Sequence, residues 1–226
     1  MALAELGGPL LEQQAGQLEA LRRARQHSTP LVLAGERALP VLDALASLLP
    51  DGLRRGSSLA VEGGPGATTL ALVLAVAASG AGSWVAVVGA PWLGLEAAIE
   101  LGLAPERLLL VDPPRERWTT TVAALVDAVD LVLVAASRPN PADVRRLVAR
   151  ARERGAVLVA LPRTSWPGAD VRLSVTSATW VGPETFGAGR LLARRADVVA
   201  RGRGAASRER RATLWLPDDD GRVARS

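Results

Sequence analysis

Short apolar runs of four to seven residues alternate along the chain with stretches in which apolar residues recur at helical spacing. That alternation predicts parallel strands joined by crossover helices, because a strand covered by helices on both faces has no polar side to show in its sequence. The runs place strands at Ser58 to Glu62, Trp84 to Ala90, Leu108 to Val111, Leu131 to Ala135 and Val157 to Leu161. Between them the spacing predicts helices over Thr68 to Ala78, Gly94 to Leu101, Thr119 to Ala128 and Pro141 to Arg154. Pro141 suits a first helical turn, where its missing N–H costs nothing, and Gly155 suits a helix stop.

Beyond Leu161 the helical segments cease. Val171 to Val181 alternates polar and apolar, and Asp197 to Arg201 and Ala212 to Leu216 follow across turn-rich spacers, which predicts antiparallel strands appended to the parallel sheet. Ahead of the first strand, Leu11, Ala15, Leu18 and Leu21 predict an amphipathic helix over Leu10 to Arg25. A second helix is expected at about Leu39 to Leu48, running into a turn at Pro50, Asp51 and Gly52. The expected fold class is α/β: a parallel sheet covered by helices, with antiparallel strands at its C-terminal end.

Composition narrows the chemistry. The 226 residues are 49% hydrophobic, enough for one sizeable core. Cysteine is absent and His27 is the one histidine, which removes thiol nucleophiles, disulfides, cysteine-ligated metals and any Ser/His/Asp triad built without His27. The longest apolar run, Leu70 to Ala78, falls well short of the roughly 20 residues of a membrane span. With no charged leader ahead of an apolar stretch, a cytoplasmic, nucleoid-associated protein without a membrane partner is expected. All 27 basic residues are arginine, against a net charge of only +4.

The missing lysine matters at one place. Strand Ser58 to Glu62 runs into Gly63, Gly64, Pro65, Gly66, Ala67, Thr68 and Thr69 and then a helix, the setting in which loop amides and a helix N-terminus cradle phosphates. A phosphate loop of the form G-x-x-x-x-G-K-[ST] needs lysine to neutralise the outer phosphates and a hydroxyl to hold magnesium. Aligned on Gly66, the lysine position is Ala67, the hydroxyl position is Thr68 and the first glycine position is Val61. Gly63, Gly64, Gly66, Thr68 and Thr69 are therefore the remains of such a loop. They are equally a tight strand-to-helix turn, with anion binding by the loop amides open.

In this order of elements the chain resembles the RecA recombinase family over roughly Leu39 to Leu216. The marks are Leu39-Pro40-Val41-Leu42-Asp43 through Gly52-Leu53-Arg54-Arg55-Gly56, the glycine loop, and Glu100-Leu101-Gly102-Leu103-Ala104-Pro105-Glu106-Arg107-Leu108-Leu109. The resemblance implies a catalytic glutamate after the second strand, where Pro91 stands, and a magnesium aspartate after the fourth, where Ala135 stands. With Ala67, Pro91 and Ala135 at the three family positions, no enzyme activity, no catalytic residue, no metal and no cofactor are expected. RecA-type proteins grip DNA with long loops after the fourth and fifth strands. Here 19 residues, mostly helix, separate Ala136 from Ala156, and Pro162 to Asp170 is short.

Among degenerate RecA relatives, the chain is most similar to the accessory protein of the bacterial SOS mutasome, the ImuA-prime type. The similarity rests on Glu62 to Leu70, Trp180-Val181-Gly182, Ala200-Arg201-Gly202-Arg203-Gly204 and Leu214-Trp215-Leu216-Pro217. It implies a non-catalytic scaffold in damage-induced translesion DNA synthesis. The implied partner is a catalytically inactive Y-family polymerase homologue of the ImuB type, together with RecA and an error-prone C-family polymerase. Residues 1–30 are then an N-terminal helical extension, and 31–226 a degenerate RecA-like domain. The competing readings are a SulA-like cell-division inhibitor, although that family is usually shorter, and a DNA-dependent ATPase, which Ala67, Pro91 and Ala135 oppose.

Three further features are candidate surfaces. From Gly187 to Arg211, eight arginines, among them Arg190, Arg194, Arg195, Arg201 and Arg203, face Asp197 and Glu209, a local net of +6 that suits weak phosphate contact, a partner, or a charged sheet edge. Trp84 and Trp180 fall in strands and are expected in the core, whereas Trp92, Trp118 and Trp166 fall in loops near strand ends, as interface anchors or core residues. The third strand, Arg107, Leu108, Leu109, Leu110 and Val111, is the edge to which a RecA-like partner could add a strand. Leu108 and Leu110 would share one side, and proline at Leu109 is expected to block the addition. The helix Leu10 to Arg25 is the rival contact.

Overall fold

The protein is described by a computed structural model covering residues 38–136, 138–182, 188–203 and 208–226. The helix expected over Leu10 to Arg25, and with it the 1–30 extension, lies outside the described residues. The first element is a small antiparallel pair, β1 (Ala38–Leu39) with β2 (Leu53–Arg54). The segment between them is not the helix expected at Leu39 to Leu48 but a 3-10 turn at Asp43–Leu45 followed by further turns. Pro40 and Pro50 bracket it and disfavour helical backbone at the residues before them, which leaves too little chain for a stable α-helix.

The main sheet has nine strands. Its parallel body runs in the order β3 (Ser58–Gly63), β7 (Val157–Ala160), β6 (Leu131–Val134), β4 (Val85–Val88), β5 (Leu108–Val111), with β5 at the free edge among the described residues. On the other side of β3 lies β8 (Val171–Val181), then β9 (Ala193–Gly202), β10 (Arg210–Trp215) and β11 (Ala224–Arg225). β8 is parallel to β3 and antiparallel to β9, so the antiparallel portion begins one strand later than the alternation implies.

Helices α1 (Ala67–Gly80), α2 (Leu95–Glu100), α3 (Trp118–Ala128) and α4 (Pro141–Arg154) follow β3, β4, β5 and β6. Each central strand divides its side chains by the period of two. Leu131, Leu133, Val157, Val159, Val85 and Val87 face the core containing α1, while Val132, Val134, Leu158, Ala160, Ala86 and Val88 face the core containing α3 and α4. Ten of the 14 residues of α1 are buried, because Ala196, Val198, Ala200 and Leu214 from the curled C-terminal strands share its core. A helix apolar all round has to be enclosed in this way. α4 ends as the sequence predicts. Asn140 accepts from Ala142 N–H at its start, Pro141 occupies the first turn, and Gly155 closes it at φ 68.

Carboxylates pin the elements at the end of the sheet where the strands begin. Asp170 accepts from Ser58 N–H at 2.9 Å and Ser58 Oγ at 3.2 Å, and from Arg152 at 3.1 Å. Asp130 accepts from Arg55 at 2.9 Å and from Trp84 N–H at 3.0 Å. Ser58 is fully buried. Asp170→Ala therefore orphans a buried N–H and hydroxyl, and is expected to cost about 2 kcal/mol of unfolding free energy in a urea titration. A loss below about 0.5 kcal/mol would show that Ser58 finds other partners. On α3, Asp127 takes a bidentate pair from Arg150 at 2.7 and 2.6 Å and locks that helix to α4.

Candidate functional site

At the opposite end, where the parallel strands finish, lies a cavity of about 850 Å³. In an open α/β sheet this is the crevice in which ligands bind. Gly63 closes β3 at φ 114 and Gly66 precedes α1 at φ 95. Gly63 must be glycine on space as well, since a Cβ there would come within 2.3 Å of the Val175 carbonyl oxygen. The turn is thus demanded by the packing of β3 on β8 whatever else it does.

The crevice brings together Gly63, Gly64, Thr68, Pro91 and Ala135 from the residues singled out in the sequence. Ala67 is not among its lining: it is buried in the α1 core. Behind the floor, Trp118 Nε1 donates to the Ala135 carbonyl at 2.9 Å, and a Cβ at Gly89 would meet that same oxygen at 2.6 Å. The backbone at the end of β6 is therefore held by an indole. The ionisable residues in the lining are Asp112 and Arg163, both exposed. Arg163 stands at φ 70, a left-handed conformation that few non-glycine residues adopt. Sequence reading missed both, although Asp112 directly follows β5 and Arg163 stands three residues past β7, where α/β folds place functional groups.

Thr69 turns away from the crevice and accepts from Arg194 Nη2 at 2.5 Å. The Arg194 guanidinium stacks on Trp180, 4.9 Å from the ring centroid, and lies 3.3 Å from where a Gly66 Cβ would sit. Burial pushes it below the ordinary arginine range. Trp180 is thus not a core residue: it stands on the same face of β8 as Ala178 but past the end of the α1 core, 37% exposed, as a platform for Arg194. Trp84 precedes β4, half-buried beneath Arg107. Trp118 and Trp166 are buried in the α3 and α4 core, Trp118 because it opens α3, while Trp92 lines the crevice at 56% exposure.

The arginines do not form one stripe. Arg194 and Arg203 are separated by about 30 Å of extended strand. Arg195 reaches Ser226, and Arg201 and Arg211 share Glu209 at 2.7 and 2.6 Å, holding that carboxyl below its usual range. Arg190 is exposed, and Arg203 lies at the other end of the sheet. The connections after β6 and β7 are short and tied together, Thr164 Oγ1 accepting from Ala136 N–H at 3.2 Å.

β5 is the sheet edge that its sequence suggests. Leu108 packs toward the α1 core and Leu109 and Val111 toward the other, so Leu110 shares the face of Leu108 and is 42% exposed. Leu95 and Ile99, one turn apart on α2, are also exposed, and Ala98 places α2 on that same face of the sheet. Gly89 N–H donates to the Val111 carbonyl at 2.9 Å, so Val111 and, two residues back, Leu109 point their backbone groups at β4. Leu110 points its own outward. Proline at Leu109 would thus break the internal ladder, and Leu110 is the position that tests the edge.

Among the described residues no helix is long and apolar enough to cross a membrane. The crystal structure of the RadB recombinase is similar over 81% of this chain and 97% of its own, with a TM-score of 0.58 at 16% identity, which shows a RecA-like fold. An uncharacterized protein of Mycobacterium tuberculosis (strain ATCC 25618 / H37Rv), Rv3395c, is 32% identical over 202 residues, 85% of this chain and 95% of its own. Residues 47–168 match the family described as the MT3502 N-terminal domain. On the strength of that match and of the mycobacterial relative, the chain belongs to the MT3502 N-terminal domain family, built on the RecA-like fold.

Proposed function

We propose that this protein is a non-catalytic docking component of damage-induced, error-prone DNA synthesis. It binds an inactive Y-family polymerase homologue that works with an error-prone C-family polymerase. The observation that supports this reading is the free edge of β5, with outward backbone groups at Leu110 and exposed Leu95, Ile99 and Leu110 on one face of the sheet. A strand added there gains main-chain hydrogen bonds for affinity and apolar contacts for specificity. The RecA-like fold, and RadB's own nature as a recombinase, support a setting in DNA repair. The ImuA-prime resemblance supplies the partner.

The crevice supports the non-catalytic half of the reading. Phosphoryl transfer depends on placed positive charge, and among the described residues Arg163 is the only cation of the crevice lining. The purified chain is expected to give no magnesium-ATP heat in calorimetry and no phosphate release. Ala67→Lys alone is expected to leave both at background, because Ala67 is buried in the α1 core and Pro91 and Ala135 are unchanged. Turnover by the unaltered chain would overturn the proposal. Affinity capture from DNA-damaged cells, read by mass spectrometry, tests the partner: a polymerase homologue supports it, and a tubulin-like GTPase in its place sinks it.

A further inference from the structure

A second concavity lies at the other end of the sheet, where β3 and β8 begin and β9 ends. It measures about 360 Å³, within the size range of ligand sites. The accessible apolar part of its floor is Pro50, exposed, and Val171, half-buried; Leu48, Leu53, Leu59 and Ala200 lie beneath them, all but fully buried. Its rim carries Arg54, Arg55, Arg152, Arg203 and Arg210 against Asp51 and Asp170.

Most of that charge is uncompensated. Arg55 is taken by Asp130 and Arg152 by Asp170, and Asp170 is further saturated by Ser58. Arg54, Arg203 and Arg210 make no ion pair among the described residues. The neighbouring Arg201 and Arg211 do, through Glu209. Free guanidiniums beside accessible apolar surface call for two chemistries at once. The planar donors favour carboxylate or phosphate oxygens bidentately, and the floor favours an apolar group that fills it.

We infer that this pocket binds a short acidic peptide segment with an apolar anchor residue, Pro50 and Val171 taking the anchor and Arg54, Arg203 and Arg210 its carboxylates. A nucleic-acid backbone would satisfy the rim but has nothing to place on the floor, and a duplex cannot enter a recess of this size. The inference is independent of the docking proposed at β5, which is the far edge of the sheet from β8 and β9.

The probe is a fluorescein-labelled peptide with two central leucines flanked by aspartates, titrated by fluorescence anisotropy against the full chain. Binding is expected, weakened about tenfold or more by Arg54→Glu or Arg203→Glu and by changing the peptide leucines to serine, and unchanged by Leu110→Pro. Arg54 and Arg203 are exposed, so both variants are expected to keep the circular dichroism and melting profile of the parent. Three outcomes overturn the inference: no binding, binding indifferent to both arginines, or serine peptide and oligothymidylate binding as tightly as the leucine peptide with the same arginine dependence.

Discussion

Leu110→Pro is expected to lower affinity for the polymerase-like partner about a hundredfold, about 2.7 kcal/mol, while leaving the chain's own unfolding midpoint nearly unchanged. Proline removes one N–H and fixes φ near the extended region, so on an edge strand its effect depends on which way that N–H points. At Leu110 it points away from β4, toward whatever adds to the sheet. The substitution also trims an exposed apolar side chain beside Leu95 and Ile99 on the same face. Leu109→Pro is the informative control, because it breaks the β4 ladder and is expected to destabilise the fold itself. Quantitative co-purification alongside urea unfolding separates the two. Undiminished capture by the Leu110→Pro chain would rule out strand addition at β5.

Trp118→Ala is expected to cost about 4 kcal/mol of unfolding free energy. The indole is 8% exposed within the α3 and α4 core, and emptying such a site removes the transfer energy and leaves a cavity, together about 3–5 kcal/mol. The same change strips the Ala135 carbonyl of its donor at the floor of the crevice. Against a typical total of about 5–15 kcal/mol, the variant would sit near the threshold of folding. Trp118→Phe keeps most of the packing and loses only the hydrogen bond, so about 1–2 kcal/mol is expected. Urea midpoints within about 1 kcal/mol of the parent for Trp118→Ala would mean the site collapses without strain.

The period of the side chains made most of the sheet legible. Leu108–Val111 and Pro141–Arg154 coincide with their predicted bounds, and Val171–Val181 is one continuous strand. Continuous apolar runs flanked by glycine and proline leave a chain few other ways to bury itself. The absence of lysine, and alanine or proline at positions 67, 91 and 135, are likewise facts of the sequence that no packing can alter. The helix expected at Leu39 to Leu48 failed because its apolar residues serve a turn between two prolines, which spacing alone does not distinguish from a helix.

Tertiary structure decided the rest, and the reason is the same in each case: contacts between residues far apart in sequence set burial and charge pairing. Trp118 and Trp166 look like loop residues until α3 and the β7–β8 connection fold them inward, and Trp180 looks like core until Arg194 lies down upon it. Eight arginines that read as one basic stripe are divided by the length of β9 and by a shared Glu209. The pocket at the end of the sheet where β3 begins draws its rim from residues 51 to 210, so no local stretch announces it. Side-chain period and residue order were enough to predict a parallel sheet and to show a glycine loop without lysine. Which surfaces were left with free backbone groups and unpaired charge was decided only when the strands closed against one another.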